Sequence, residues 1–98
     1  MEFTITKERL TAVHSDGTPM GHILFPQVRA GLVTIDQVEV YAPFRGQGVE
    51  TAMMDTLFRH LVSQGRKAAL RCSFAQDYVE THPQWKSALP GSLHFTTY

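Results

Sequence analysis

The first forty residues alternate between apolar and polar positions. Phe3 and Ile5 are separated by a polar residue, and Leu10, Ala12 and His14 continue the period of two, so two short strands are predicted. Ser15-Asp16-Gly17-Thr18-Pro19 is turn chemistry throughout, and Met20 to Phe25 resumes the strand. Leu10 to Phe25 therefore reads as a β-hairpin, ended by Pro26. Ala30-Gly31 marks a second turn, after which Leu32, Val33, Ile35, Val38 and Val40 form one long β-rich run. The expectation is an antiparallel meander of about four strands.

The period changes after Gly48. Val49, Met53, Leu57 and Leu61 recur at i, i+4, and Ala52, Met54, Phe58 and Val62 widen the stripe. This predicts a helix from about Gln47 to Gln64, laid across the sheet, with its methionines filling core and Gly65 as the C′ cap. Lys67 to Cys72 reads as a strand with Ala68, Leu70 and Cys72 on one face. Strand–helix–strand order implies a right-handed crossover and a parallel neighbour. A short helix is expected from Phe74 to about Thr81, capped by Ser73 and stopped by Pro83, with Tyr78 and Trp85 anchoring the last segment on the sheet. Leu93, Phe95 and Thr97 alternate again, predicting a final strand that serves as an added edge or as the contact of a homodimer.

Composition narrows the classes. A chain of 98 residues with 43% apolar residues implies one domain, residues 1–98, with a modest core. Its net charge of zero argues against a nucleic-acid partner and against an anionic membrane surface. No apolar run is long enough to span a bilayer, and the N-terminus lacks a basic start and an apolar segment, so a cytoplasmic location is the expectation. One cysteine rules out an internal disulfide, and the five histidines do not fall at metal-ligand spacings.

The join between strand and helix carries the chemistry. Arg45-Gly46-Gln47-Gly48-Val49-Glu50-Thr51 puts two glycines before a helix start, where free backbone N–H groups and the positive end of the dipole favour an anion. A pyrophosphate held by the N–H groups from Gln47 to Thr51, with Arg45 pairing and Thr51 adding a hydroxyl, is one reading; a plain capped loop is the other. No Gly-Lys-Ser/Thr follows, and the third glycine of a dinucleotide fingerprint is missing.

That turn resembles the pyrophosphate motif of the GCN5-related N-acetyltransferases. The strand Val38-Glu39-Val40, the turn Arg45 to Gly48, Cys72-Ser73-Phe74 and His82-Pro83-Gln84-Trp85 together resemble a small stand-alone subfamily of about a hundred residues, with the right spacing from Phe3 to Leu89. The resemblance implies an α+β fold with a mixed sheet: an antiparallel N-terminal meander, a crossover helix, a strand and a short helix. It implies transfer of an acetyl group from acetyl-CoA to an amine, with the sheet splaying between its fourth and fifth strands; a chain this small has little room for a substrate pocket, so the acceptor is expected to be a protein or peptide, or a partner subunit completes the site. The backbone of Val38 and Val40 would pair with the pantetheine arm, and an N–H near Val40 would polarise the thioester. The subfamily also has a cysteine at the place of Cys72, discussed as an acyl acceptor.

Glu50 departs from the motif, which has Gly or Ala there. A carboxylate about 5 Å from a pyrophosphate costs about 1–3 kcal/mol, a loss of about ten- to hundredfold in affinity, unless it turns away. Glu39 lies on the opposite face of its strand from Val38 and Val40 and is either the base that deprotonates the amine or an exposed strand glutamate. Cys72 is either a small buried group or a thiol activated at a helix start, with His82 as its base or as a structural residue. Arg66, Lys67 and Arg71 form a solvated face or a contact for the coenzyme 3′-phosphate. The alternative to an enzyme is an interaction module that keeps the fold and binds CoA weakly or not at all.

Overall fold

The computed structural model describes residues 1–91. Seven strands and two α-helices follow one another as β1 (Glu2–Ile5), β2 (Arg9–Val13), β3 (Pro19–Leu24), β4 (Gln27–Arg29), β5 (Leu32–Ile35), β6 (Gln37–Val40), α1 (Val49–Ser63), β7 (Lys67–Leu70) and α2 (Ser73–Thr81). Single 3-10 turns at Ala42–Phe44 and Pro83–Ala88 complete the order. The predicted strand tail at Leu93, Phe95 and Thr97 lies outside the described residues.

The fold is the expected α+β arrangement, but six strands precede α1 where about four were expected. The long β-rich run is not one strand, because it breaks at Asp36 into β5 and β6, which belong to different sheets. One sheet has the antiparallel order β1-β2-β3-β6; the other has the order β4-β5-β7, in which β7 runs parallel to β5. The break is a bulge. Gln37 is the register partner of Leu24, yet the Asp36 N–H also donates to the Leu24 carbonyl at 3.0 Å, so two residues face one.

The core lies between the four-stranded sheet and α1. Leu10, Ala12, Ile23, Val38 and Val40 share the inner face, and Val49, Met53, Met54, Leu57, Phe58 and Leu61 come from the helix; most of them have no exposure at all. Val62, predicted to widen the apolar stripe, is half exposed. The helix ends in a Schellman motif: the Arg66 N–H donates to the Leu61 carbonyl at 2.9 Å and the Gly65 N–H to the Val62 carbonyl at 3.0 Å, with Gly65 at φ +68°. Trp85 and Tyr78 anchor on α1 rather than on the sheet. Both stack against Phe58, at centroid distances of 5.5 and 6.3 Å.

Candidate functional site

The two sheets share a chain but part from each other. β5 pairs with β7 from Leu32↔Lys67 to Ile35↔Leu70, and the Arg71 N–H still reaches the Ile35 carbonyl at 3.0 Å. One residue later the strands diverge: β6 turns to pair with β3, and β7 gives way to α2. Asp36 and Arg71 face each other at this fork, 3.9 Å apart. Beyond the fork, among the described residues, β6 has β3 as its single neighbour. The Tyr41 N–H donates to Met20 on the β3 side, and antiparallel strands alternate, so the N–H and C=O of Val38 and Val40 point into the gap.

The glycine turn closes one end of that gap. Gly46 and Gly48 have φ of +79° and +78°, a region that a residue with a Cβ enters at a cost. A Cβ built on either would meet nothing within 4 Å, so the space before the turn is open. Gly48 is the N-cap of α1, and no side chain caps the helix. Ala52 is the first to donate back, to the Gly48 carbonyl at 3.1 Å, which leaves the N–H groups of Val49, Glu50 and Thr51 without an intrahelical partner. Glu50 is half-buried in this first turn, while Gln47 and Thr51 are exposed. The Arg45 side chain folds back, its Nε donating to the Val40 carbonyl at 3.1 Å, which ties the turn to the end of β6.

Cys72 is the N-cap of α2, half-buried, just past the point where β7 leaves β5. His82 is the C-cap of the same nine-residue helix, about 13 Å away along the axis. Its ring stacks on Tyr78 at 4.0 Å, and Nδ1 lies 2.8 Å from the Tyr78 carbonyl, so His82 cannot act as a base for Cys72. The basic residues do not form one cluster. Arg66 bonds Gln64 and Gln27, and Lys67 bonds the Ser87 carbonyl, at the far end of α1 and about 22 Å along it from Gly48. Arg71 stands apart from both, at the fork. A depression of about 200 Å³ lined by Val62, Arg66, Lys67 and Ser87 lies at that same distant end.

Glu39 is half-buried on the sheet face opposite α1. Beside it the structure places three residues that sequence reading missed: His22, Gln37 and Tyr41. His22 is 7% exposed; its Nδ1 lies 2.7 Å from the Tyr41 hydroxyl, and its Nε2 lies 3.2 Å from Gln37 Oε1 and 4.0 Å from Glu39 Oε1. The alternation of β6 does carry Gln37, Glu39 and Tyr41 on one face, but nothing near His22 in sequence pairs it with them.

A mixed α+β domain results, with parted sheets and an uncapped helix start at the mouth of the gap between them. The chain belongs to the GCN5-related N-acetyltransferase family: the family's sequence model matches residues 9–88. The fold agrees. A GCN5-like protein of Staphylococcus aureus, solved in solution, superposes with a TM-score of 0.72 at 20% identity, covering 92% of this chain and 88% of that one. The Mycobacterium tuberculosis protein Rv2747, solved in complex with CoA, gives a TM-score of 0.63 at 21% identity, over 79% of this chain and 48% of its own. A ribosomal-protein-alanine N-acetyltransferase of Brucella melitensis gives 0.57 at 22%, over 78% and 59%. The chain thus spans only about half the length of these last two. No curated protein sequence matches it significantly.

Proposed function

We propose that the chain is an acetyl-CoA-dependent N-acetyltransferase that acts on an amine of a protein or peptide. The observation that carries this reading is the fork: among the described residues, β6 turns the N–H groups of Val38 and Val40 and the C=O of Val38 toward a gap whose mouth is the uncapped start of α1, while Arg45 holds the Val40 C=O. An extended amide-bearing arm pairs with such an edge as an added strand would. Gly46, Gln47 and Gly48 with the N–H groups of Val49, Glu50 and Thr51 hold the pyrophosphate, and Arg45, anchored on Val40, adds a cation beside it.

Acetyl-CoA, when bound, supplies an activated thioester. The Val40 N–H polarises its carbonyl. Transfer forms a C–N bond at the amine and breaks the C–S bond of the thioester; Glu39 takes the proton that the amine loses and passes it to solvent, and the coenzyme leaves as a thiolate that takes up a proton from solvent. Direct transfer is favoured over a route through Cys72, because His82, the residue expected as the base of that thiol, sits at the other end of α2.

The test is acetyl-CoA titration calorimetry on the wild type and Glu50→Gly. Binding by the wild type, with a gain of less than about tenfold in the variant, is expected if Glu50 turns to solvent. Binding by Glu50→Gly alone supports the second reading, an interaction module that has given up its coenzyme, which the carboxylate in the first turn of α1 favours. Binding by neither overturns the acetyltransferase reading.

A further inference from the structure

The cluster around His22 has a direction. A neutral imidazole carries one N–H, and its neighbours decide which nitrogen holds it. Nε2 faces two oxygens, the Gln37 amide at 3.2 Å and the Glu39 carboxylate at 4.0 Å. A lone pair there would be repelled by both, and the carboxylate has no proton to offer. The hydrogen therefore sits on Nε2, and Nδ1 becomes an acceptor. The Tyr41 hydroxyl, 2.7 Å away, then donates to it. The donors then run one way, from Tyr41 to His22 and from His22 to Gln37. With its oxygen engaged, the exposed Gln37 directs its amide –NH₂ away from His22, on the same face as Glu39 and two residues from it, about 7 Å along the strand.

We propose that His22 is a positioning residue of the amine-acceptor site. Held as the Nε2–H tautomer by the oxygens at Nε2 and by the Tyr41 hydroxyl at Nδ1, it orients Gln37 and turns its N–H edge toward Glu39. A donor, the Gln37 amide, and an acceptor, the Glu39 carboxylate, are thereby presented side by side. This pair selects amines that carry a carbonyl within reach, as peptide amines do, over plain alkylamines. The proposal rests on the reading of Glu39 as the group that takes the amine proton.

Two readouts test it. In protein labelled with ¹⁵N-histidine, long-range ¹H–¹⁵N spectra are expected to show His22 protonated on Nε2, and Tyr41→Phe, which removes the donor to Nδ1, is expected to weaken that preference. In acetyl-transfer assays with a short free-α-amine peptide and with an alkylamine, His22→Ala is expected to lower kcat/KM for the peptide about tenfold, the loss of one oriented hydrogen bond. Acetyl-CoA affinity should stay unchanged and the preference for peptide should shrink. His22→Gln, whose terminal –NH₂ replaces the Nε2–H, is expected to recover most of the loss. An Nδ1–H signature in the wild type overturns the proposal, as does equal damage from both substitutions, or a parallel fall in acetyl-CoA affinity. If His22→Ala does not fold, the tautomer in the wild type and Tyr41→Phe still decides. A wild type that transfers acetyl to neither amine overturns the functional reading and this one together. An active wild type with the wrong tautomer overturns this one alone.

Discussion

Glu39 on β6 and Cys72 at the start of α2 are the two side chains weighed for acyl transfer in the proposed function, and their surroundings differ. Glu39 lies 4.0 Å from His22 Nε2 and is half open on the outer face of the sheet. Cys72 caps α2, and the histidine that sequence reading offered as its base is at the other end of that helix. Glu39→Gln keeps the shape and removes the proton acceptor, so kcat is expected to fall by about 10²–10⁴ while acetyl-CoA affinity holds. Cys72→Ser is expected to leave kcat near that of the wild type, and mass spectrometry of the quenched enzyme should show no acetyl group on Cys72. An acetylated Cys72, or a Cys72→Ser variant as damaged as Glu39→Gln, would replace direct transfer with the covalent route.

At the level of elements, the position of β6 depends on how closely β3 and α1 approach it. Gly21 is where they meet: a Cβ there would lie 2.5 Å from the Glu39 carbonyl oxygen and 3.2 Å from Met53 Cε. The Met53 side chain has room to adapt, but the Glu39 oxygen is backbone and moves only with β6. Gly21→Ala is therefore expected to cost about 1–3 kcal/mol in chemical denaturation, an overpacking penalty, and to lower activity beyond that by displacing Glu39 and Val40. Unchanged stability would show that β6 gives way freely. The helix α1 was legible in the sequence because a period of 3.6 ran between two glycines that mark its ends. The parallel strand β7 was legible too, since a helix between strands permits little else. The break at Asp36 was not, because β-branched residues run through it and the bulge is set by a change of partner strand. His22 was hidden for a related reason, being 15 and 19 residues from the groups it touches. Only the register of β3 on β6 brings them together.

Across the whole molecule, the segment after the fork is held to the rest by aromatic rings. Trp85 and Tyr78 both stack on Phe58 of α1, and His82 covers the other side of Tyr78. This stack fixes α2, and with it the wall of the gap that ends at Cys72. Tyr78 is 5% exposed, and burial holds its phenol above the ordinary value of 10.0, because a phenolate there would lose its hydration. The folded chain therefore keeps the Tyr78 proton at a pH where the unfolded chain releases it. Below about pH 10 both states are neutral and the contribution is fully present; as pH rises from there the unfolded state binds fewer protons, so stability falls until the folded phenol ionises as well. Urea midpoints measured upward from about pH 9 should decline more steeply for the wild type than for Tyr78→Phe, which keeps the ring stack and has no proton to lose. Equal slopes would mean that Tyr78 ionises in place and that the stack tolerates a charge. In that case α2 would be held by Trp85 and Phe58 without help from a neutral phenol.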